Sequence, residues 1–148
     1  MSKKIAVLTA LAASVATGAA LAPASPAAAA STYGPVTVNC GVVTCSAYLS
    51  RSVTKEAYHK KDIGQGGFAA AAIVICAPML VPPLTPVGTA CSAAAALHGP
   101  WISQELTEAA TEHGDRGACL KATWTKQVGS VPPAITYWST NNGKYCKD

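Results

Sequence analysis

Residues 63–104 contain no Asp, Glu, Lys or Arg, and their apolar runs are broken mainly by Gly, Pro and small hydroxyl residues. Within this stretch, residues 68–77 (FAAAAIVICA) predict an apolar helix that Pro78 stops, since proline lacks the N–H a helix interior needs. Residues 89–98 (TACSAAAALH) predict a second apolar helix, ended or kinked at Gly99-Pro100. Between them, Pro82, Pro83 and Pro86 predict a stiff, extended loop. Residues 101–113 continue as a more polar helix, with Gly114 as its C-terminal stop. The middle of the chain therefore reads as an Ala-rich helical hairpin, whose small side chains let the helices approach closely.

The flanking patterns differ. Val36 and Val38 alternate with polar neighbours, the run from Cys40 to Cys45 turns the chain around Gly41, and residues 46–49 return as a second strand. This is the signature of a β-hairpin over residues 31–50. Residues 52–61 (SVTKEAYHKK) suit a short helix, with Ser52 as N-cap and Lys60 and Lys61 in the last turn, where the dipole favours cations. Gly64, Gly66 and Gly67 then interrupt. Beyond the helices, Leu120, Ala122 and Trp124 fall on one face of a strand, and Lys121, Thr123 and Thr125 on the other. Val131-Pro132-Pro133 marks a turn and residues 135–140 a second strand. Asn142-Gly143 predicts a two-residue hairpin turn into a third strand, Lys144-Tyr145-Cys146. The expected fold class is α+β: a disulfide-stapled N-terminal β-hairpin, an Ala-rich helical hairpin and a small C-terminal antiparallel β-meander.

The N-terminus changes the picture of where the protein works. Lys3 and Lys4 precede an apolar, Ala-rich run over residues 5–21, and Ala28-Ala29-Ala30 before Ser31 forms an A-x-A cleavage site. Residues 1–30 thus read as a secretory signal peptide, and residues 31–148 as one mature, secreted, extracellular domain. That domain divides into a stapled β-hairpin segment (31–51), a helical region (52–114) and the β-meander (115–148). The formal charge of the whole chain is +4, and loss of Lys3 and Lys4 halves it. So weak a charge argues against nucleic acid or an anionic surface as partner.

All six cysteines, Cys40, Cys45, Cys76, Cys91, Cys119 and Cys146, lie in the mature part. An even count in an exported chain implies disulfides, of which six cysteines allow fifteen pairings. The sequential pairing 40–45, 76–91 and 119–146 is favoured, because each pair closes one local unit. Zinc lacks support: there is no C-x-x-C or H-x-x-x-H spacing.

An uncharged segment in an exported chain must be buried in its own fold, buried against a partner, or placed in a membrane. A spanning helix needs about 20 apolar residues. The two arms, residues 66–77 and 88–99, are each about 18 Å long as helices, against a hydrocarbon core of roughly 30 Å. A buried hairpin is the better reading. Membrane contact, as in a bacteriocin-like, membrane-active helical hairpin, is the alternative.

The inventory for chemistry is poor: three His and seven acidic residues in the whole chain. Glu105, Glu108 and Glu112, with His113 beside them, share a helix face, which is more simply a solvated face than an acid–base site. His59, His98 and His113, with Asp62 and Asp115, are scattered, and no G-x-S-x-G signal supports a triad. With all cysteines paired, none is left as a nucleophile. The chain is expected not to be an enzyme and to need no cofactor or metal. Leu49-Ser50-Arg51-Ser52 offers a further alternative, the rigid presentation of Arg51 to a trypsin-like protease as an inhibitor, set against a plain strand-to-helix junction. Trp124, Tyr137, Trp138 and Tyr145 gather in the C-terminal sheet, as a core filling or as an aromatic face for sugars or protein.

The string Cys40-Gly41-Val42-Val43-Thr44-Cys45-Ser46-Ala47-Tyr48-Leu49-Ser50-Arg51, the Ala-rich two-cysteine hairpin and the closing Asn142-Gly143-Lys144-Tyr145-Cys146 resemble a group of small exported actinobacterial proteins. The pattern is similar to the small adaptor subunit of umbrella toxin particles, antibacterial assemblies in which an exported adaptor joins a lectin subunit to a large toxin subunit. The resemblance implies that the stapled segment 31–51 inserts into a lectin partner and that the helical and C-terminal parts dock on the toxin subunit. Tyr33, Val36, Val38, Tyr48, Leu49 and Arg51 are then the expected partner contacts. The expected function is a secreted, non-enzymatic protein-interaction module.

Overall fold

The computed structural model describes residues 30–62, 67–112, 114–126 and 132–148. The signal-peptide reading falls almost wholly outside them, as do Gly64, Gly66, His113 and Val131.

Gly34, at φ +57°, lets the chain reverse in two residues between β1 (Ser31–Tyr33) and β2 (Val36–Cys40). The second reversal lies inside the Cys40–Cys45 disulfide and leads into β3 (Thr44–Leu49). Ser50 then caps α1 (Arg51–Asp62): its Oγ accepts from the Val53 N–H at 3.3 Å. The cap is therefore Ser50 rather than Ser52, because the first helical residue is Arg51, two positions earlier than a cap at Ser52 implies. Next come α2 (Gly67–Cys76), a 3₁₀ turn at Ala77–Met79, and α3 (Thr85–Thr111). The helix α3 starts ahead of the expected position 89. Pro86 sits in its first turn, where a missing N–H costs nothing, so the prolines limit the extended loop to a few residues. His98 leaves helical geometry (φ −117°, ψ 24°) two residues before Pro100, the expected kink. A 3₁₀ turn at Gly114–Arg116 leads to β4 (Cys119–Thr125), and β5 (Ile135–Asn141) follows.

The strands form one antiparallel sheet in the order β1-β2-β3-β4-β5. The two stapled β units are thus halves of one sheet, joined where β3 pairs with β4 (Tyr48 opposite Lys121). All three disulfides are the sequential pairs, Cys40–Cys45, Cys76–Cys91 and Cys119–Cys146. The mixed α+β class, with strands at both ends of the chain and helices between, is the observed one.

One sheet face packs the helices. The row Val38, Ala47, Ala122 and Trp138 runs across four strands on that face, beside Val36 and Leu49, all buried. From the helices come Ala71, Ile75, Met79, Leu84, Val87, Ile102 and Leu106. The start of β4 is tied to α1 by the buried Thr54 hydroxyl, which accepts the Leu120 N–H at 3.0 Å. Gly88 is where α3 crosses the 3₁₀ turn that follows α2: an added Cβ would lie 2.6 Å from the Met79 carbonyl oxygen.

The C-terminal residues 142–148 lie over one end of the opposite face of the sheet, at Tyr48 and Cys119. Lys144-Tyr145-Cys146 form no third strand. The chain turns at Gly143, where the Cys146 N–H bonds to the Gly143 carbonyl, and folds back as a strap. Tyr145 lies on Tyr48 with ring centroids 5.3 Å apart, and Tyr48 and Thr37 are buried. A strand beyond β5 would sit two strand spacings, about 9.6 Å, from β4. Bonding of Cys146 to Cys119 on β4, with Cα atoms 5.4 Å apart, excludes that position.

Candidate interaction surface

The antiparallel topology gives the sheet two unlike ends. At one end lie Arg51, Gly117 and the strap. At the other lie the β2–β3 loop and the segment entering β5, joined by Lys126 N–H to Val43 O and Thr125 N–H to Ala134 O. The described segments meeting at this second end, 40–45 and 132–135 with the first half of α3 beside them, carry no charge, and Lys126 is the one charged residue adjoining them.

Val42 and Val43 stand at the tip of the first disulfide loop, 81% and 67% exposed. The Gly41 N–H to Thr44 O bond and the Cys40–Cys45 bridge hold the loop closed, so the two valines are presented without freedom to fold inward. Sequence patterning missed them, because it reads turn residues as polar connectors. The signal was there in two β-branched apolar residues where a hairpin loop usually carries Asn, Asp or Ser.

The first half of α3 forms a ridge with an apolar groove on each side. One groove, about 420 Å³, separates α3 from α2 and is walled by Phe68, Ala72, Ile73, Ala95, Ala96 and Gly99. The other, about 370 Å³, lies between α3 and the start of β5, walled by Pro86, Ala90, Ala93, Leu97, Pro133 and Ile135. Neither is lined by a charged residue. Leu97, 78% exposed, and Ile73, 69% exposed, stand at their rims. The described part of the uncharged middle, residues 67–104, is thus partly covered by the chain's own core and partly open. No helix among the described residues is long and apolar enough to cross a membrane.

The residues expected to contact partners fall elsewhere. Val36, Val38, Tyr48 and Leu49 are buried in the domain, the first two and Leu49 under the helices and Tyr48 under the strap. Tyr33 is half-buried against the core. Arg51 is half-buried and tied down: Nε donates to the Gly117 carbonyl at 3.2 Å, and the two terminal nitrogens donate to Asp148 Oδ1 and Asn142 Oδ1. Leu49-Ser50-Arg51-Ser52 is therefore a fixed junction from β3 into α1, with Ser50 buried. It lacks the extended, outward loop that a protease cleft grips.

The six bridged cysteines are structural. Among the described residues no group of three or more His, Cys, Asp or Glu is placed to hold a metal ion. Glu105 and Glu112 are half-buried and Glu108 is exposed on α3. His59 and His98 lie on separate helices. The C-terminal aromatics do not form one face: Trp124 and Trp138 are core, Tyr145 covers Tyr48, and Tyr137, 51% exposed, packs edge-on to Trp101 at 5.5 Å. His98 in turn meets Trp101 at 6.2 Å. Burial raises the Tyr48 phenol above its ordinary pKa, partly offset by a hydrogen bond to Ser46.

Comparison with protein-family models, curated proteins and solved structures finds no match to this chain, so its function is read from these surfaces.

Proposed function

We propose that this chain is an exported, non-enzymatic protein-interaction module, an adaptor that joins subunits of an extracellular antibacterial toxin complex. The observation that carries the reading is the uncharged ridge-and-groove face around Leu97 and Ile73, open on a domain otherwise closed by three disulfides. Contiguous exposed apolar surface rimmed by polar residues marks docking sites. Alanines along the ridge allow a partner's backbone to come close. Rigid presentation lowers the ordering cost of binding. Three bridges and no free cysteine suit an oxidising, extracellular setting. The Val42–Val43 tip at the same end of the sheet supplies a second contact, as joining two proteins requires.

The test is the native mass of the protein taken from culture supernatant, with co-purifying chains identified. A defined complex that Leu97→Glu dissociates supports the reading. A monomer of the mature mass, unchanged by that substitution, overturns it.

A further inference from the structure

The groove between α3 and β5 ends differently from the groove between α3 and α2. Its walls are proline, alanine, leucine and isoleucine with Thr89 among them, but at its far end α3 breaks at His98 and turns out a cluster of unlike chemistry. His98 lines the groove and touches Trp101 edge-on. Trp101 packs on the exposed Tyr137, two residues along β5 from the groove residue Ile135. The Trp101 indole N–H donates to Glu105 Oε1 at 3.3 Å, which fixes the carboxylate beside the rings. Glu105 takes part in no ion pair among the described residues. An unneutralised carboxylate next to two aromatic rings is complementary to a cation, by Coulomb attraction and by the ring quadrupoles together.

We infer that this groove seats an extended segment of a partner protein, apolar along its length and ending in an Arg or Lys whose cation rests at Trp101, Tyr137 and Glu105. The inference rests on the interaction-module reading and names the partner chemistry of one of its grooves. The geometry sets the length of the segment. Positions 86–98 of α3 span about 18 Å, which five or six extended residues cover. Pro86, Pro132 and Pro133 carry no N–H, so apolar side-chain contact fixes most of the segment and the terminal cation fixes its direction. An acidic segment is rejected by Glu105. A sugar would leave most of its hydroxyls against alkyl groups, at the cost of unmade hydrogen bonds.

The probe is the peptide Ac-PLAPLR-NH2, titrated against the purified oxidised protein and followed by tryptophan emission and its salt dependence. A second peptide has Gln in place of the Arg. Arg-peptide binding at least about tenfold tighter than Gln-peptide binding is expected. Glu105→Gln, which keeps the acceptor for the Trp101 indole, should erase that difference and leave Gln-peptide binding unchanged. Ala93→Glu should abolish binding of both. Equal affinity of the two peptides, an unaltered preference in Glu105→Gln, or no binding at millimolar peptide would each overturn the inference. If the exported protein is recovered in a complex while the peptides fail, the inference falls and the adaptor reading stands. If the peptides bind as expected but no complex is recovered, the adaptor reading falls alone.

Discussion

Arg51 and Asp148, 97 residues apart in sequence, meet at 2.9 Å, the first residue of α1 against the side-chain carboxylate of the strap. The backbone repeats the contact, since the Arg51 N–H bonds to the Lys147 carbonyl at 2.9 Å. The arginine thereby closes the strap onto the sheet. Its exposed ion pair contributes little in water. The half-buried bond from Nε to Gly117 O contributes more, on the order of 1 kcal/mol. Arg51→Ala should therefore lower unfolding free energy by about 1–2 kcal/mol in urea, against less than about 0.5 kcal/mol for Asp148→Ala. Equal effects of the two substitutions would contradict this division. Trypsin should be inhibited by neither parent nor variant.

Gly88→Ala should be among the most damaging single substitutions in the helical region. The new methyl would collide with the Met79 main chain, which is pinned by Met79's own burial and by the adjacent Cys76–Cys91 bridge. Overpacking of this kind costs about 1–3 kcal/mol. Urea titration without reductant measures it, and a midpoint within error of the parent would refute the close crossing.

Replacing Cys119 and Cys146 together by Ser should remove about 3.5 kcal/mol on chain-entropy grounds, and should free the strap before the core opens. Limited proteolysis should then cut first near Lys144 and Lys147 in the variant and not in the oxidised parent. Protection of both sites in the variant would show that Arg51 and Tyr48 hold the strap without the bridge.

Tyr48 makes stability fall at alkaline pH. Burial holds its folded pKa above the ordinary 10.0, so the unfolded state releases this proton first as pH rises. The contribution is fully present below the unfolded pKa and is lost between that value and the higher folded one. Tyr48→Phe should flatten the decline of stability above pH 10 while leaving the shape of the profile near pH 7 unchanged. An identical alkaline slope in parent and variant would count against it.

Val42 and Val43 carry little of the fold's stability, because most of their surface already faces water. The double substitution to Ser should shift unfolding by less than about 0.5 kcal/mol, yet strip one partner from the native complex. Retention of every co-purifying chain would remove the tip from the docking surface.

The pattern of cysteines and periodicities was enough for the disulfide pairing, because each pair closes a neighbouring unit, and for the buried side of β4, where Leu120, Ala122 and Trp124 alternate with Lys121 and Thr123. It was silent on the pairing of Tyr48 with Lys121, since register between distant segments leaves no local trace. The expected strand at 144–146 contradicted the expected bridge from Cys146 to β4, and the covalent constraint won. The burial of Val36, Val38 and Leu49 follows from the same joining of the two β units: alternating valines signal a face that is covered, without saying by what. Tyr137 and Glu105 were legible as residue types, but their meeting at Trp101 depends on the kink at His98 and on the course of β5.

The sequential order of the bridges bears on how the chain is made. In a polypeptide emerging N-terminus first, from a ribosome or a translocation channel, the second cysteine of each pair finds its correct partner as the only unpaired thiol already outside. Cys45 meets Cys40, Cys91 meets Cys76, and Cys146 meets Cys119. Vectorial emergence by itself selects one of the fifteen possible pairings, so oxidation kept in step with emergence requires no reshuffling by an isomerase, whereas refolding of the full-length reduced chain must search among them all.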